Sequence, residues 1–492
     1  MIALSNESSG SPATALSTSG QLRSDQSRKR LSVEDFELLQ IPFLNPAVRT
    51  SQGMAWFENK VILGTGRAPL GFLGRYTAQS GPRFGGRSSQ TGGSDAHGAQ
   101  IIVFDPNTRQ WEKVFDSPIV QGRDGNMRAR DRSVRARLVC QTLGDSKPCL
   151  YLGMGSLEGE VVFLRSEDGI EYQECKGSGF NLNADIPSVR SMACLDGKLF
   201  CTPTGRNYKR GMWDDNLTDH PIIFQATDPL AGNWVAVSEP GFGNPENQSI
   251  NELEVFNGHV YAAALNTRYG FELWKTDARG NPPYRWVKVL ERGAWRGPMN
   301  SIPLAMVVYK NALYVSASIQ RQGGIHLDHF GPFPAEMIRV YPDDSWDLVT
   351  GTQRFTPQGL KRPITGLSGG FGDRYLHNFW RFAVMDDALY LGTAGWKWMP
   401  TYLRDRPDLS EAQLQRLRTE TEDYRSGEFS LWRTDDGIRW ESVTTTGFPG
   451  SSPNNYGIRE MLATPYGLFV APTGRTGSGK GGGLELWWGH SN

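Results

Sequence analysis

The chain has 492 residues, of which 38% are hydrophobic, 11% aromatic and 21% charged. Its 52 Lys and Arg balance its 52 Asp and Glu, which argues against nucleic acid or an anionic membrane as a partner attracted by overall charge. Its 57 glycines and 29 prolines indicate many turns. The composition therefore favours a globular, turn-rich β protein and excludes a chain that is disordered throughout.

The N-terminal segment differs in composition from the rest of the chain. Residues 1–34 are rich in Ser and Thr and include RSDQSRKR, which predicts a disordered arm before a domain over 35–492. The arm lacks the apolar core of a secretory signal, and no stretch has the length of a membrane span. The five cysteines form no CxxC pair, which favours small buried thiols over disulfides or a zinc site. We expect a cytoplasmic protein.

One hairpin recurs along the rest of the chain, with an apolar strand, a tight turn and a second apolar strand. The turns EN, DG, NG and KN in four of the copies are typical of two-residue β-hairpins. The copies read MAWFENKVILGTGR (54–67), RLVCQTLGDSKPCLYLGMGS (137–156), ACLDGKLFCTPTGR (193–206), LEVFNGHVYAAALN (253–266), MVVYKNALYVSAS (306–318), AVMDDALYLGTAG (383–395) and LATPYGLFVAPTG (462–474).

A second, outer hairpin follows each inner one and carries an aromatic residue at a regular interval. These aromatics are 61, 62, 52, 60 and 94 residues apart, at Trp111, Tyr172, Trp234, Trp286, Trp346 and Trp440. The last copy, LELWWG (484–489), stops after one strand, and FELLQIPF (36–43) is the segment available to complete it. This pattern predicts an all-β, seven-bladed β-propeller whose N-terminal strand closes the ring.

The longest interval contains a predicted helix in the sixth blade. Residues 408–424 begin with Ser410 and Gln413 in capping-box spacing, followed by Leu414 and Leu417 on one face. Two Gly-rich stretches, roughly 81–98 and 475–483, are predicted loops.

Functional sites of propellers commonly lie on the loops around one mouth of the axial channel. The starts of first strands and the ends of second strands place several cations and aromatics there, which favours an anionic or polarised substrate group. The alternative for each is structural: arginines paired with a neighbouring blade's carboxylate, and aromatics packed between blades. The predicted mouth residues are Arg67, Arg135, Arg190, Arg206, Glu252, Asn266, His326, Asp328, His329, Tyr375, His377, Trp380, Arg381, Gly395, Trp396, Tyr456, Arg459 and Arg475.

Other motifs are weaker. His326, Asp328 and His329 are metal-ligand types, but no third His lies near them, so we assign no metal site. We expect no cofactor; a structural calcium ion on turn oxygens such as those at 435–436 stays an open alternative. GRTGSGK (474–480) lacks the Ser or Thr and the helix of a phosphate-binding loop. SEDGIEY (166–172) and TDDGIRW (434–440) resemble the structural Asp-box turns of sialidases.

Several segments resemble a bacterial seven-bladed propeller family. They are MAWFENKVILGTGR, EPGFGNPENQSINELEVFNGHVYA, LWKTDARGNPPYRWVKVL, GPFPAEMIRVYPDDSWDLVTG and GFPGSSPNNYGIREMLATPYGLFVAPTG, and the similarity spans nearly all of residues 40–489. The family includes two kinds of cyanobacterial alkylating enzyme: the cylindrocyclophane-forming Friedel–Crafts alkylase and the bartoloside-forming enzyme, which esterifies carboxylates with alkyl chlorides.

The resemblance implies an alkyl chloride and a nucleophile bound at the channel mouth, with Arg67 of GTGR and Tyr456 of NNYG central to the reaction. Gly395 of GTAG stands where the family pattern has an acid, which puts the general base in doubt, and the cyclophane enzyme's calcium-binding domain has no counterpart. Glu252 and Asp328 are candidate bases, and Trp380, Trp396 and Trp398 are a candidate apolar wall. Further substrate-binding candidates are Arg206, Arg381, Arg459, His326, His329 and His377.

The leading hypothesis is therefore an enzyme of specialised metabolism that alkylates a phenol, resorcinol or carboxylate in natural product biosynthesis. The alternative is a non-catalytic propeller that binds a protein or polysaccharide, and a third hypothesis is a hydrolase or lyase acting on carbohydrate. We expect an apolar or aromatic small-molecule substrate, no nucleic acid partner, no membrane span, and a monomer or weak oligomer.

Overall fold

The computed structural model describes residues 30–44, 48–67, 98–122, 125–156, 160–177, 179–180, 182, 186–205, 216–320, 333–395, 410–412, 415, 429–474 and 484–490, with Arg67 described by its backbone alone. The chain divides into Met1–Arg30 and Leu31–Asn492. All elements named below belong to the second unit.

The described residues form short strands joined by turns. Helical turns lie at Val33–Asp35, Pro240–Gly243, Arg292–Trp295, Gly297–Asn300 and Gly369–Gly372. The strands are β1 (Phe36–Leu39), β2 (Val48–Phe57), β3 (Lys60–Arg67), β4 (Gln100–Asp105), β5 (Gln110–Asp116), β6 (Ile119–Gln121), β7 (Met127–Ala129), β8 (Asp131–Cys140), β9 (Cys149–Ser156), β10 (Phe163–Ser166), β11 (Gln173–Glu174), β12 (Ser188–Leu195), β13 (Lys198–Thr204), β14 (Phe224–Ala226), β15 (Trp234–Ala236), β16 (Ser249–Phe256), β17 (His259–Leu265), β18 (Glu272–Thr276), β19 (Val287–Leu290), β20 (Ile302–Tyr309), β21 (Ala312–Ser318), β22 (Glu336–Val340), β23 (Trp346–Thr350), β24 (Arg354–Thr356), β25 (Gly359–Lys361), β26 (Leu376–Met385), β27 (Ala388–Gly395), β28 (Leu431–Thr434), β29 (Glu441–Thr444), β30 (Asn455–Thr464), β31 (Gly467–Gly474) and β32 (Leu486–Gly489).

The pairing is antiparallel throughout the described strands and runs mostly between neighbours in sequence. Strands β12–β15, β16–β19 and β20–β23 each form a separate four-stranded sheet. The two larger sheets join β2–β5 to β8–β11 and β26–β29 to β30–β32 with β1, each through a single residue pair, Gly66 with Ser133 and Ala394 with Gly457. Strands β24–β25 and β6–β7 are small additional hairpins.

The first strands of these groups pack side by side. Strand β2 packs on β8, β8 on β12, β12 on β16, β16 on β20, β20 on β26 and β26 on β30, while β30 packs on β2. The contacts therefore close on themselves around an axis, and the protein has an all-β, β-propeller-like fold. Aliphatic and aromatic side chains between adjacent sheets form the core, as in the cluster of Tyr261, Phe271, Leu313 and Ile338.

The predicted two-residue hairpin turns are confirmed. Both central residues of the turn have positive φ at Glu58–Asn59, Asp196–Gly197, Asn257–Gly258 and Lys310–Asn311. This backbone matches the twist of the flanking strands, and Asn and Gly adopt it most readily. The same conformation occurs at Asp386–Asp387.

The predicted strand exchange between the ends of the chain is also confirmed. Strand β1 pairs antiparallel with β32, from Phe36 opposite Gly489 to Leu39 opposite Leu486. The Phe36 ring stacks on Phe448 with ring centroids 4.5 Å apart, so the N-terminal strand supplies the outer edge of the last sheet.

The boundary predicted for the N-terminal arm needs a correction. Leu31 lies within the predicted arm 1–34, yet it is buried in the core beside β1. The Ser32 Oγ and backbone N–H both donate to the Asp35 carboxylate, which fixes the turn that leads into the strand. Leu31 therefore belongs to the packed domain, because its apolar side chain is buried among the core residues beside β1.

The two Asp-box-like turns have the structural role predicted for them. The Asp168 carboxylate accepts hydrogen bonds from the backbone N–H groups of Ile170 and Glu171 at 2.8 and 2.9 Å. Asp436 accepts the same pair of bonds from Ile438 and Arg439. Backbone donors stabilise the ionised carboxylate and lower the pKa of Asp168.

Three other predictions concern small features of the chain. All five cysteines are free; Cys149, Cys175 and Cys201 are buried, which confirms the thiol prediction for most of them. Of the predicted helix, Glu411, Ala412 and Gln415 are helical, and most of the segment lies outside the described residues, as do nearly all of 81–98 and the whole of 475–483. None of the helices in the described ranges has the length and apolar character needed to cross a membrane.

Candidate functional site

A one-residue irregularity recurs in every strand that faces the axis. In each, the pairing register with the second strand shifts by one residue inside the strand, as a β-bulge does, and β2, β8, β26 and β30 have a further shift at their start. A bulge turns a side chain away from the alternating pattern of the strand. The residues at these shifts are Gln52, Arg135, Arg190, Asn251, Leu304, Trp380 and Arg459.

These irregular positions bring arginines from separate sheets together. The Arg135 and Arg459 guanidinium groups both donate to the Gln52 side-chain oxygen, at 2.9 and 3.2 Å. The Arg459 guanidinium also lies 4.9 Å from the centre of the Trp380 ring, within cation–π range. Four of the irregular positions thus form one continuous contact network.

A polar cavity of about 40 Å³ lies among these residues. Five guanidinium groups and one carboxylate line it, together with three uncharged residues. The lining residues are Arg135, Ala136, Arg137, Arg190, Ser191, Met192, Glu252, Arg381 and Arg459. We call this feature the axial cavity.

Carboxylates neutralise part of this charge. Arg190 Nε lies 3.6 Å from Glu252 Oε1. Glu460, buried and outside the lining, contacts both Arg137 and Arg381 at 3.0 and 3.4 Å through Oε1. The structural alternative is therefore correct in part, because these arginines pair with carboxylates of other strands.

The charge of Arg459 is destabilised by its surroundings. Its side chain is nine-tenths buried, and its Nη1 has no hydrogen-bond partner among the described residues. Burial lowers its pKa well below the usual value, and Arg190, Arg381 and Arg135 lower it further by repulsion. Burial also raises the pKa of Glu252.

Tyr456 lies beside this network at the start of β30. Its ring is 5.8 Å from Trp380, centroid to centroid. Gly457 follows it, and a Cβ there would lie 2.5 Å from the Ala394 side chain and 2.8 Å from the Trp380 ring, so the close approach of Trp380 requires glycine. Burial raises the pKa of Tyr456 to about 12, which keeps its hydroxyl protonated at neutral pH.

His377 occupies the position in β26 that corresponds to Tyr456 in β30, but it is hydrogen-bonded to other residues of the protein. Its Nδ1 lies 3.0 Å from the Phe333 carbonyl oxygen, and Ser318 Oγ donates to the His377 carbonyl at 2.7 Å. Burial lowers the pKa of the imidazole to about 4. The substrate-binding role of His377 stays a prediction, and these contacts favour a structural role.

The structure describes only some of the predicted site residues. It brings Arg190, Glu252, Trp380, Arg381, Tyr456 and Arg459 to the axis. The backbone of Arg67 pairs with Val48 at the end of β3, and its side chain is not described. Of the other predicted positions, Arg135 also lines the axial cavity, whereas Asn266, Tyr375 and Gly395 are described but do not line it. The remaining predicted positions lie outside the described residues: Arg206, His326, Asp328, His329, Trp396, Trp398 and Arg475. In the described part of the chain, no three His, Cys, Asp or Glu side chains group as metal ligands.

Three contributors were not predicted from the sequence: Gln52, Arg137 and Glu460. Each belongs to an inner strand. An alignment of the inner strands with one another could have identified Gln52, because Gln52 occupies the same position in its strand as Arg135 and Arg459 do in theirs.

Comparison with known proteins adds no named relative. No family model matches the chain, and no curated protein matches it. Among solved structures, the chain is similar to the crystal structure of the computationally designed Ika8 protein, with 12% identity over 92% of this chain and 99% of that chain and a TM-score of 0.38. A likeness at this level carries no argument about function.

Proposed function

We propose that this protein is a seven-bladed β-propeller whose site lies on the channel axis. The closed series of contacts from β2 through β8, β12, β16, β20, β26 and β30 back to β2 supports this blade count. In this arrangement, β1 completes the last blade and the insertion after β27 belongs to the sixth.

We further propose that the protein is an enzyme of specialised metabolism, which transfers an alkyl group from an alkyl chloride to a phenol, resorcinol or carboxylate. The observation that carries the proposal is the sequence of contacts from Tyr456 to Trp380 to Arg459. It combines a protonated hydroxyl donor, an aromatic wall and a cation, which are the groups that such a reaction needs around the leaving chloride and the acceptor.

In the proposed reaction the acceptor forms a bond to the carbon that carries chlorine, and chloride leaves with the bonding electron pair. The Tyr456 hydroxyl donates a hydrogen bond to the departing chloride, with Arg67 as the second donor that the family resemblance implies. A base takes the proton that the acceptor loses. Glu252 is the described candidate, since it lines the axial cavity with the arginines, and burial raises its pKa.

The test is chloride release from secondary alkyl chlorides in the presence of a resorcinol or a long-chain carboxylate, with product mass measured in parallel. Tyr456→Phe removes one donor and should lower the rate about 10²–10³-fold while the melting temperature changes little. Tyr269→Phe is the matched control, because Tyr269 is exposed in the turn between β17 and β18.

Two results would contradict the proposal. One is an unchanged rate in Tyr456→Phe. The other is no chloride release by the wild type with any donor and acceptor pair, which would leave the non-catalytic binding propeller as the better hypothesis.

A further inference from the structure

Among the described residues, the axial cavity has more cationic than anionic side chains around it. Five arginines line it against one lining carboxylate, Glu252, while Glu460 outside the lining pairs with two of the five and Glu254 acts on Arg137. Arginine side chains stay protonated in proteins. Burying an excess of charge is costly unless an ion of opposite sign or hydrogen bonds compensate it.

Arg459 presents a buried donor that has no partner among the described residues. Arg459 is nine-tenths buried and lines the cavity, and its Nη1 has no hydrogen-bond acceptor in the described part of the chain. The Arg459 guanidinium contacts Gln52 and the face of Trp380, and neither carries negative charge; the nearest attraction it receives is from Glu460, and three neighbouring arginines repel it. A buried donor of this kind indicates an acceptor that the protein itself does not supply.

The cavity volume limits what that acceptor can be. At about 40 Å³ the cavity accommodates roughly three water-sized spheres, at about 10–15 Å³ each. This space suits one halide ion, one tetrahedral oxyanion or one carboxylate group. It is too small for a nucleotide or a sugar ring.

We propose that the axial cavity is a binding site for one small anion, held by Arg459, Arg381 and Arg190. The anion accepts hydrogen bonds from guanidinium N–H groups of different strands, and it compensates the positive charge that Glu252, Glu254 and Glu460 do not neutralise. The site requires no alkyl transfer, so this proposal and the proposed enzyme activity can fail separately.

Two sources can supply such an anion: a free ion such as chloride or sulfate, or the anionic end of a larger ligand. The test is isothermal titration calorimetry of the full chain with sodium chloride, sodium sulfate, sodium acetate and sodium hexanoate, each alone. Sodium gluconate, whose anion is too large for the cavity, keeps the ionic strength constant. Binding of acetate without hexanoate indicates a free ion, and equal or tighter binding of hexanoate indicates an anchor for a larger ligand.

Substitutions in the cluster should change affinity in opposite directions. Arg459→Gln should weaken binding of the best anion at least tenfold. Glu252→Gln should tighten binding several-fold, because it removes a lining carboxylate and releases Arg190. Arg268→Gln is the matched control, since Arg268 is an exposed arginine that pairs with Glu246, and it should leave affinity unchanged.

Binding near one anion per chain with these three responses would support the site. Absence of saturable binding for all four salts would overturn it, as would equal losses in Arg459→Gln and Arg268→Gln. If Arg459→Gln does not fold, Glu252→Gln decides: misfolding cannot tighten binding, and unchanged or weaker binding in this variant would overturn the proposal.

Discussion

At the scale of single residues, the extra residue in each axial strand determines which side chains meet. Arg135, Trp380 and Arg459 occupy the same position in different strands. They contact one another directly or through Gln52 because the bulge turns each of them toward the axis. Charge from widely separated parts of the sequence is thus concentrated in a cavity of about 40 Å³.

A half-buried acid near this cluster should make stability depend on pH. Glu254 on β16 accepts a hydrogen bond from the Val255 N–H, and burial raises its pKa from 4.5 to about 7. As pH rises through this interval, the unfolded chain releases the proton before the folded one. The contribution of Glu254 to the free energy of unfolding therefore falls with rising pH, by about 3 kcal/mol in total.

We predict that Glu254→Gln is more stable than the wild type at about pH 8, by about 3 kcal/mol, and that the difference vanishes near pH 4. Urea unfolding at a series of pH values measures this. Glu112→Gln, at an exposed position, should show no such trend. A difference for Glu254→Gln that is the same at both ends of the pH range would contradict the assignment.

At the scale of elements, β1 completes the last sheet. It pairs with β32 along its whole length, and Phe36 and Leu31 are buried with it. Arg109 of the first sheet forms an ion pair with Glu37 at 2.8 Å. The strand therefore covers the edge of β32 and links the first described strand to the last.

Removal of Met1–Arg30 should leave the melting temperature nearly unchanged, whereas removal of residues 1–45 should destabilise the protein severely. The longer deletion loses β1 and the buried Leu31, Phe36 and Leu39 side chains, each worth about 1.5–3 kcal/mol of burial. Thermal unfolding of the two truncations measures the difference, and equal stability would contradict the role of β1.

A point substitution tests the same element with less disruption. Phe36→Ala should cost about 3–5 kcal/mol, because Phe36 is buried and stacks on Phe448. Phe43→Ala is the matched control in the same segment, since Phe43 is 61% exposed, and it should change stability by less than about 0.5 kcal/mol. Similar losses in both variants would show that β1 does not act through this packing.

At the scale of the whole molecule, the repeat could be predicted from the sequence because its signals are local. Two-residue turns such as Asn257–Gly258 specify hairpins without reference to the rest of the chain. The unfinished LELWWG repeat required a strand, and FELL at 36–39 is that strand. The exposed Phe43 shows that the predicted segment was longer than the strand itself.

The interior of the site could be predicted only in part. A general rule for the ends of strands found Arg135, Arg190, Glu252, Arg381 and Arg459. It could not find Arg137 or Glu460, because one inserted residue changes which face every later side chain occupies. Pairing between Arg137 and Glu460 also joins strands 323 positions apart, and no local pattern predicts such a contact.

The central claim is that the functional site lies on the axis and attracts anions. Anomalous diffraction from crystals soaked in sodium bromide tests it most directly, because bromide replaces small anions and is located without bias from the coordinates. We predict a bromide peak in the axial cavity, within hydrogen-bond distance of the Arg459 and Arg381 guanidinium groups. Bromide at exposed cations such as Arg268, with none in a cavity that still presents these guanidinium groups, would contradict the account.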